Sequence, residues 1–425
     1  MPGRSRKLPA IPWRQNLLIQ NAIALMVSSG GSAVLGVFFW VLAARLAPTS
    51  VIGKTTAEIA AMILLATIAQ LSFGSIFERF LPVAGDLTRT FVARSYVLTL
   101  STALVFTIGY EVLDFGRRFL AGGVPGKAFF LLAVVAWTIF ALQDSVLIGL
   151  RASRWVAVEN IGYGLAKLAL LPLFLLLTKA QGTMISWVLP VLVADGLVSL
   201  YLFRVRIPIH MVKGMRTEDL PTTRELLFLS GAQYASVLTT VFLPSLVTLI
   251  VIQRLGAVAN AYYYLPAMIS NSLGAFSWGI VRSFLVEASA EPHALKRHAN
   301  SAIKALAVVL IPAITLGVIF APYYLRIFGA EYAKHGTALM RMLLISLAGI
   351  AVMVFYSTFA WLDKRVWWLT ARNVVFSVVY VFVILLLIGR YGIDSIGVAS
   401  LVYSGLTAIV FLPMSIRRYR RIDSA

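Results

Sequence analysis

Residues 20–48 read QNAIALMVSSGGSAVLGVFFWVLAARLAP, with no Asp, Glu, Lys or Arg until Arg45. A helix of ~20 apolar residues spans a bilayer core. The stretch therefore spells a membrane-spanning helix that stops at Arg45-Leu46-Ala47-Pro48. It is too long for the ~7–15-residue apolar region of a cleaved signal peptide. The basic, proline-containing residues 1–19 before it read as a cytoplasmic tail.

The rest of the chain repeats this pattern. Its 425 residues are 60% hydrophobic and 13% charged, with a mean hydropathy of +0.88. A soluble domain carries about 45–50% apolar and about 25% charged residues. This composition excludes a soluble enzyme, a disordered chain and a single-anchor protein. It also excludes an outer-membrane barrel, whose strands alternate instead of running apolar. Twelve apolar segments stand out, near 20–44, 57–77, 92–113, 128–150, 156–178, 183–203, 226–252, 258–281, 303–321, 339–361, 366–389 and 393–415. The expected fold is an all-α polytopic membrane protein of about 12 transmembrane helices, in two six-helix lobes around a central cavity. Its parts are a tail (1–19), an N-terminal lobe (20–205), a cytoplasmic linker (206–225), a C-terminal lobe (226–416) and a basic tail (417–425).

The net charge is +20, from 37 Lys and Arg against 17 Asp and Glu. Basic residues crowd the cytoplasmic loops of membrane proteins, and that explains the excess without nucleic acid. With the N-terminus inside, the inner segments hold 25 of the 37 basic residues and the outer loops 11. Both termini are then cytoplasmic, and the expected location is a bacterial plasma membrane. The chain has no cysteine, so disulfides and thiolate metal sites are excluded.

The two halves share landmarks. Arg45-Leu46-Ala47 and Arg254-Leu255-Gly256 each close the first helix of a half before a short turn. Arg79-Phe80 and Arg282-Ser283-Phe284 follow the second helix, and Asn160 and Asn373 open the fifth. Six helices per half make a parallel repeat about an axis along the membrane normal, the geometry of alternating access.

The pattern Asn21…Gly30-Gly31…Ala44-Arg45-Leu46-Ala47-Pro48…Gly53, then Phe73-Gly74…Arg79-Phe80, resembles the polysaccharide-type flippases. These belong to the multidrug/oligosaccharidyl-lipid/polysaccharide (MOP) exporter superfamily. Gly149-Leu150-Arg151…Asn160…Lys167 is similar to the family's junction between helices four and five. Ala47 stands where the family commonly has Gly, and many members have fourteen helices. The resemblance implies translocation of an isoprenoid-diphosphate-linked oligosaccharide or polysaccharide repeat unit to the outer leaflet. Expected partners are that anionic lipid-linked sugar, the bilayer, and glycosyltransferases or a polymerase of the same pathway. No cofactor is expected; the drive is H⁺ or Na⁺ coupling, or membrane potential alone.

Several residues carry candidate chemistry. Arg79 and Arg282 are expected at the inner ends of helices two and eight, where their planar forks would receive a diphosphate. Arg45 and Arg254 occupy outer ends, against the positive-inside bias, and form a second candidate phosphate contact. Ionisable groups at membrane depth are costly and face a cavity or a partner. Asp144, Lys167 and Asp195 lie at that depth in helices four to six. Lys167 and Asp195 are read either as a structural ion pair or as a substrate or ion-coupling site. The four histidines fall in expected loops, and Tyr262-Tyr263-Tyr264 and Trp367-Trp368 read as interfacial belt residues.

Gly53-Lys54-Thr55 imitates the end of a phosphate-binding loop, but that motif needs Gly where Pro48 stands. Direct ATP drive is thus not indicated. Two alternatives remain. An ion-coupled multidrug-type antiporter needs cavity carboxylates, and a membrane glycosyltransferase needs longer outer loops than these.

Overall fold

The computed structural model describes residues 12–213, 241–363 and 366–420. Residues 1–11 and 421–425 of the expected tails, and 214–240 of the linker and its following helix, lie outside the described residues. All described regular structure is helical. An apolar backbone in lipid must satisfy its own hydrogen bonds, which a helix does within one segment.

The N-terminal lobe holds α1 (Pro12–Leu46), α2 (Thr49–Ala69), the short α3 (Phe73–Phe80), α4 (Thr88–Val112), α5 (Gly123–Gly149), α6 (Ser153–Thr178) and α7 (Gly182–Tyr201). A π-turn (Leu202–Arg206) leads into α8 (Ile207–Lys213). The C-terminal lobe holds the described part of α9 (Val241–Leu255), then α10 (Ala257–Ala290), α11 (Leu295–Phe328), α12 (Ala330–Leu362), α13 (Val366–Tyr391) and α14 (Asp394–Arg420). Ten of these helical stretches are long and apolar enough to cross a membrane. Their outward faces carry large apolar side chains such as Val97, Leu386 and Ile409, the inverse of a water-soluble surface. The chain is a multi-pass membrane protein.

Some boundaries differ from those expected. α1 begins at Pro12 instead of residue 20. α2 starts at Thr49, because Pro48 sits at its N-cap with φ −57° and its carbonyl accepts from Val51 and Ile52. The helix then ends early, where Leu71 and Ser72 turn left-handed (φ 48° and 61°). Arg79 therefore rides on the separate α3 and not on helix two. The histidines are also mostly helical: His210 lies in α8, His298 in α11 and His335 in α12.

Gly53 does not precede helix two but lies buried inside it. A Cβ there would overlap the Ala257 carbonyl oxygen. That missing side chain lets α2 and α10 touch backbone to backbone. Asn260, fully buried on α10, donates to the Gly53 carbonyl at 2.8 Å and to Thr56 Oγ1 at 3.0 Å.

More hydrogen bonds join the lobes at this same end. Arg45 reaches α11, Gln253 donates to Phe115 O at 2.9 Å, and Arg118 donates to Gln253 O. The largest apolar cluster also crosses the seam, taking Phe39, Trp40 and Ile52 from one lobe and Leu265, Phe328 and Tyr332 from the other.

Gly53→Ala is expected to wedge this end open and to destabilise the protein by about 1–3 kcal/mol, the usual cost of overpacking. The natural chain lacks cysteine, so spin labels at Leu46→Cys and Val258→Cys report on the seam directly. An unchanged label distance together with an unchanged melting temperature would refute the close approach.

Candidate functional site

The space between the lobes opens just beyond the seam. A cavity of ≈ 430 Å³ lies between α2 (Ile59, Ile63) and α9 and α10 (Thr248, Tyr263, Tyr264, Asn271). It adjoins a second of ≈ 240 Å³ that shares Tyr263 and Asn271 and runs toward Tyr380 and Tyr403. Neither lining contains a charged side chain. Tyr263 is 5% exposed, and Tyr264 packs edge-on against Trp40 with ring centroids 5.1 Å apart. Two of the three tyrosines expected as membrane-belt residues, Tyr263 and Tyr264, are thus interior, because the start of α10 forms the lobe seam, whereas Tyr262 is partly exposed and stacks on His335. Trp367 and Trp368 are exposed on the molecule's surface.

The four candidate arginines are dispersed. Arg45 donates from Nε to Ile327 O (2.8 Å) and from Nη2 to Arg326 O (2.9 Å). It thus caps the C-terminal carbonyls of α11 from the other lobe, a position where a cation also meets the negative end of the helix dipole. Arg254 is exposed in the last turn of α9. Arg79 and Arg282 are exposed near the opposite end and are not among the cleft-lining residues.

Arg282 comes within electrostatic range of Glu78 in the other lobe. Partial burial pushes the Glu78 carboxyl above the usual carboxylate range. The Ser145 hydroxyl, 3.5 Å away, and the Arg282 charge draw it back.

The N-terminal lobe holds the deep charges, in two storeys. In the lower one, Asp144 of α5 accepts from Asn160 Nδ2 at 3.0 Å on both oxygens. Glu159 of α6 and Asp195 of α7 are 6% and 7% exposed. None of their four carboxyl oxygens has a hydrogen-bond partner. Asp144 and Asp195 both act electrostatically on Glu159, and Glu159 and Asp195 act on Tyr96 of α4. Gln143 steadies the backbone here, donating to Asp195 O (3.0 Å) and Ser199 Oγ (2.7 Å). Among the described residues, no three acidic or imidazole groups converge closely enough to hold a metal ion.

Lys167 forms the upper storey and does not pair with Asp195. Its ammonium lies over the rings of Trp187, Tyr163 and Phe39. The two residues stand on neighbouring helices but at different depths. Eight residues separate Lys167 from Glu159, and eight separate Asp195 from Trp187, which is ~12 Å of helix rise.

Sequence reading passed over Glu159 and Tyr96. Glu159 was available beside Asn160, eight residues from Lys167 and near the same helix face. Arg372 is 9% exposed in α13, stacked 3.7 Å above the Phe411 ring.

No protein-family model matches the chain, and no curated protein matches it. Solved structures do. One described as a MATE in complex with MaL6 aligns with TM-score 0.64 at 13% identity, covering 96% of this chain and 97% of its own. An inward-facing multidrug resistance MATE family transporter of the MOP superfamily gives 0.64 at 14%, covering 95% and 99%. The MATE multidrug transporter DinF-BH in complex with R6G gives 0.62 at 14%, covering 98% of each chain. The chain therefore has the two-lobed, all-helical fold of MATE transporters of the MOP superfamily.

Arg45→Ala is expected to lower stability by about 1–2 kcal/mol, since hydrogen bonds from a charged donor and the helix-end interaction are both lost. Lysine, a single point donor, recovers only part of this. Thermal unfolding followed by tryptophan fluorescence reads the difference. A melting temperature unmoved by Arg45→Ala would show that the cap carries no stability.

Proposed function

We propose that this protein is a proton-coupled, alternating-access exporter of an amphipathic solute, with its N-terminus in the cytoplasm. The observation that carries the reading is the lower storey of the N-terminal lobe. Two carboxyls lie there more than nine-tenths buried with no partner on either oxygen. An isolated carboxylate at that depth is strongly disfavoured, so Glu159 and Asp195 each hold a proton or face a cation. The proposal takes the proton as the coupling ion.

The uncharged, tyrosine-rich cleft suits a solute with apolar and hydroxyl surface. The described hydrogen bonds between the lobes gather at the end where α1 meets α2, so the reading places the cytoplasmic opening of the cycle at the Arg79 end. With the positive-inside orientation, that end is cytoplasmic. Protonation from outside and release inside would bias the lobes to rock, and the solute would leave outward.

R6G, the ligand of one structural neighbour, is the first probe. In proteoliposomes a pH gradient is expected to drive its transport. Glu159→Gln or Asp195→Asn is expected to abolish uphill movement and leave downhill equilibration. Collapsing the pH gradient at constant potential is expected to stop uphill transport. If potential alone sustains it, proton coupling fails.

A second reading takes a lipid-linked oligosaccharide as substrate. It is favoured by the Arg45-Leu46-Ala47-Pro48 and Arg79-Phe80 motifs, and by the exposure of Arg79 and Arg282 near one mouth of the cleft. Depletion in cells would then leave a lipid-linked sugar on the cytoplasmic leaflet, and Arg79→Ala would do the same. Normal lipid-linked sugar distribution after depletion would remove this reading and leave the first.

A further inference from the structure

The upper storey of the N-terminal lobe is an aromatic box with an occupant from its own chain. The Lys167 ammonium lies 4.3 Å from the ring centroid of Trp187, 4.6 Å from Tyr163 and 5.3 Å from Phe39. These rings come from α7, α6 and α1. Trp137 backs the box, 5.4 Å from Trp187 and 6.2 Å from Tyr163, and Phe140 stands 5.2 Å from Tyr163. Lys167 is 7% exposed, and no described carboxylate forms a salt bridge with it. Ring faces at this range, converging on one nitrogen, are how proteins hold quaternary and alkylated ammonium groups.

The duplicated fold does not itself require a cation there. At the spacing that relates Asn160 to Asn373, Lys167 corresponds to Tyr380 and Trp187 to Ser400. In the C-terminal lobe those two side chains meet as a hydroxyl pair, Tyr380 Oη to Ser400 Oγ at 3.3 Å. The same position is thus filled by a neutral contact in one lobe and by a charge on aromatic faces in the other. The box also communicates with the cleft. Phe39 packs edge-on against Trp40 (5.3 Å), and Trp40 against Tyr264, which lines the cavity.

We propose that Lys167 is a tethered occupant of an alkylammonium-binding box, and that its presence keeps small alkylammonium ions out of that box. Lys167 is then a specificity-determining residue. The consequence for substrate choice rests on the transporter reading above, whereas the box itself does not.

Lys167→Ala removes n-propylammonium from the box, and that amine is the probe, with tetramethylammonium beside it and propan-1-ol as the uncharged control. In the full-length protein purified in detergent, Lys167→Ala is expected to melt at a lower temperature than wild type. n-Propylammonium is expected to restore the melt and to change Trp187 fluorescence, at a concentration at least tenfold below any effect on wild type. Propan-1-ol is expected to do neither.

A folded Lys167→Ala protein that binds neither ammonium better than wild type overturns the proposal, as does equal rescue by propan-1-ol. If the variant does not fold alone, it is extracted with the amine or with the alcohol. Recovery of monodisperse protein only with the amine supports the box, and failure with both overturns it. None of these readouts involves transport, so failure here leaves the exporter reading standing. Lost R6G transport with intact amine binding would count against that reading alone.

Discussion

The contact between α2 and α10 governs how the rest of the molecule is arranged. Two helix backbones approach closely because Gly53 presents no side chain to Ala257. The gap is closed by the amide of Asn260, which donates to both the Gly53 carbonyl and Thr56. In hydrocarbon, apolar side chains gain little by leaving lipid for one another. Helix association there rests on close packing by small residues and on hydrogen bonds across the interface. The seam uses both. Beyond this contact, α2 and α10 line the cleft together with α9, and Arg45 extends the same clasp to α11.

The N-terminal lobe separates charges that a simpler arrangement would pair. Lys167 and Asp195 sit on adjacent helices, yet each meets a different environment. The ammonium is received by ring faces, whereas the acid is left among other acids. A direct pair would neutralise both. Held two helical turns apart, the carboxyls keep an unmet demand for a proton or cation while the lysine is already satisfied. Under the proposed function, this segregation gives one lobe both a coupling element and an ammonium site already filled by its own chain.

The legibility of this arrangement from residues alone is uneven, for a physical reason. Apolar run length specifies membrane helices independently of their neighbours, so the segments of the all-helical fold were readable directly. Boundaries were less so where a turn depends on one residue's conformation. Pro48 restarts a helix at once, and left-handed Leu71 and Ser72 end it early, neither of which alters the apolar pattern. Among candidate site residues, depth along the chain was readable for Asp144, Lys167 and Asp195, but partnership was not. Glu159 escaped because it lies near a helix end in sequence, while packing of α4, α5 and α7 encloses it completely enough to leave both oxygens unpartnered.

The sequence by itself determined that this chain lives in lipid, that it is helical throughout its apolar runs, and that it is built from two related halves. These follow from composition, segment length and spaced landmarks, which are properties of residues in order. The tertiary structure decided that Gly53 is a docking notch, that the Tyr263 and Tyr264 pair is interior, that Arg45 caps a helix of the opposite lobe, and that Lys167 turns to aromatic rings instead of to Asp195. Those outcomes depend on rotation and depth of helices against one another. A periodic apolar pattern leaves both nearly free when every face of a helix can be buried in lipid or protein alike.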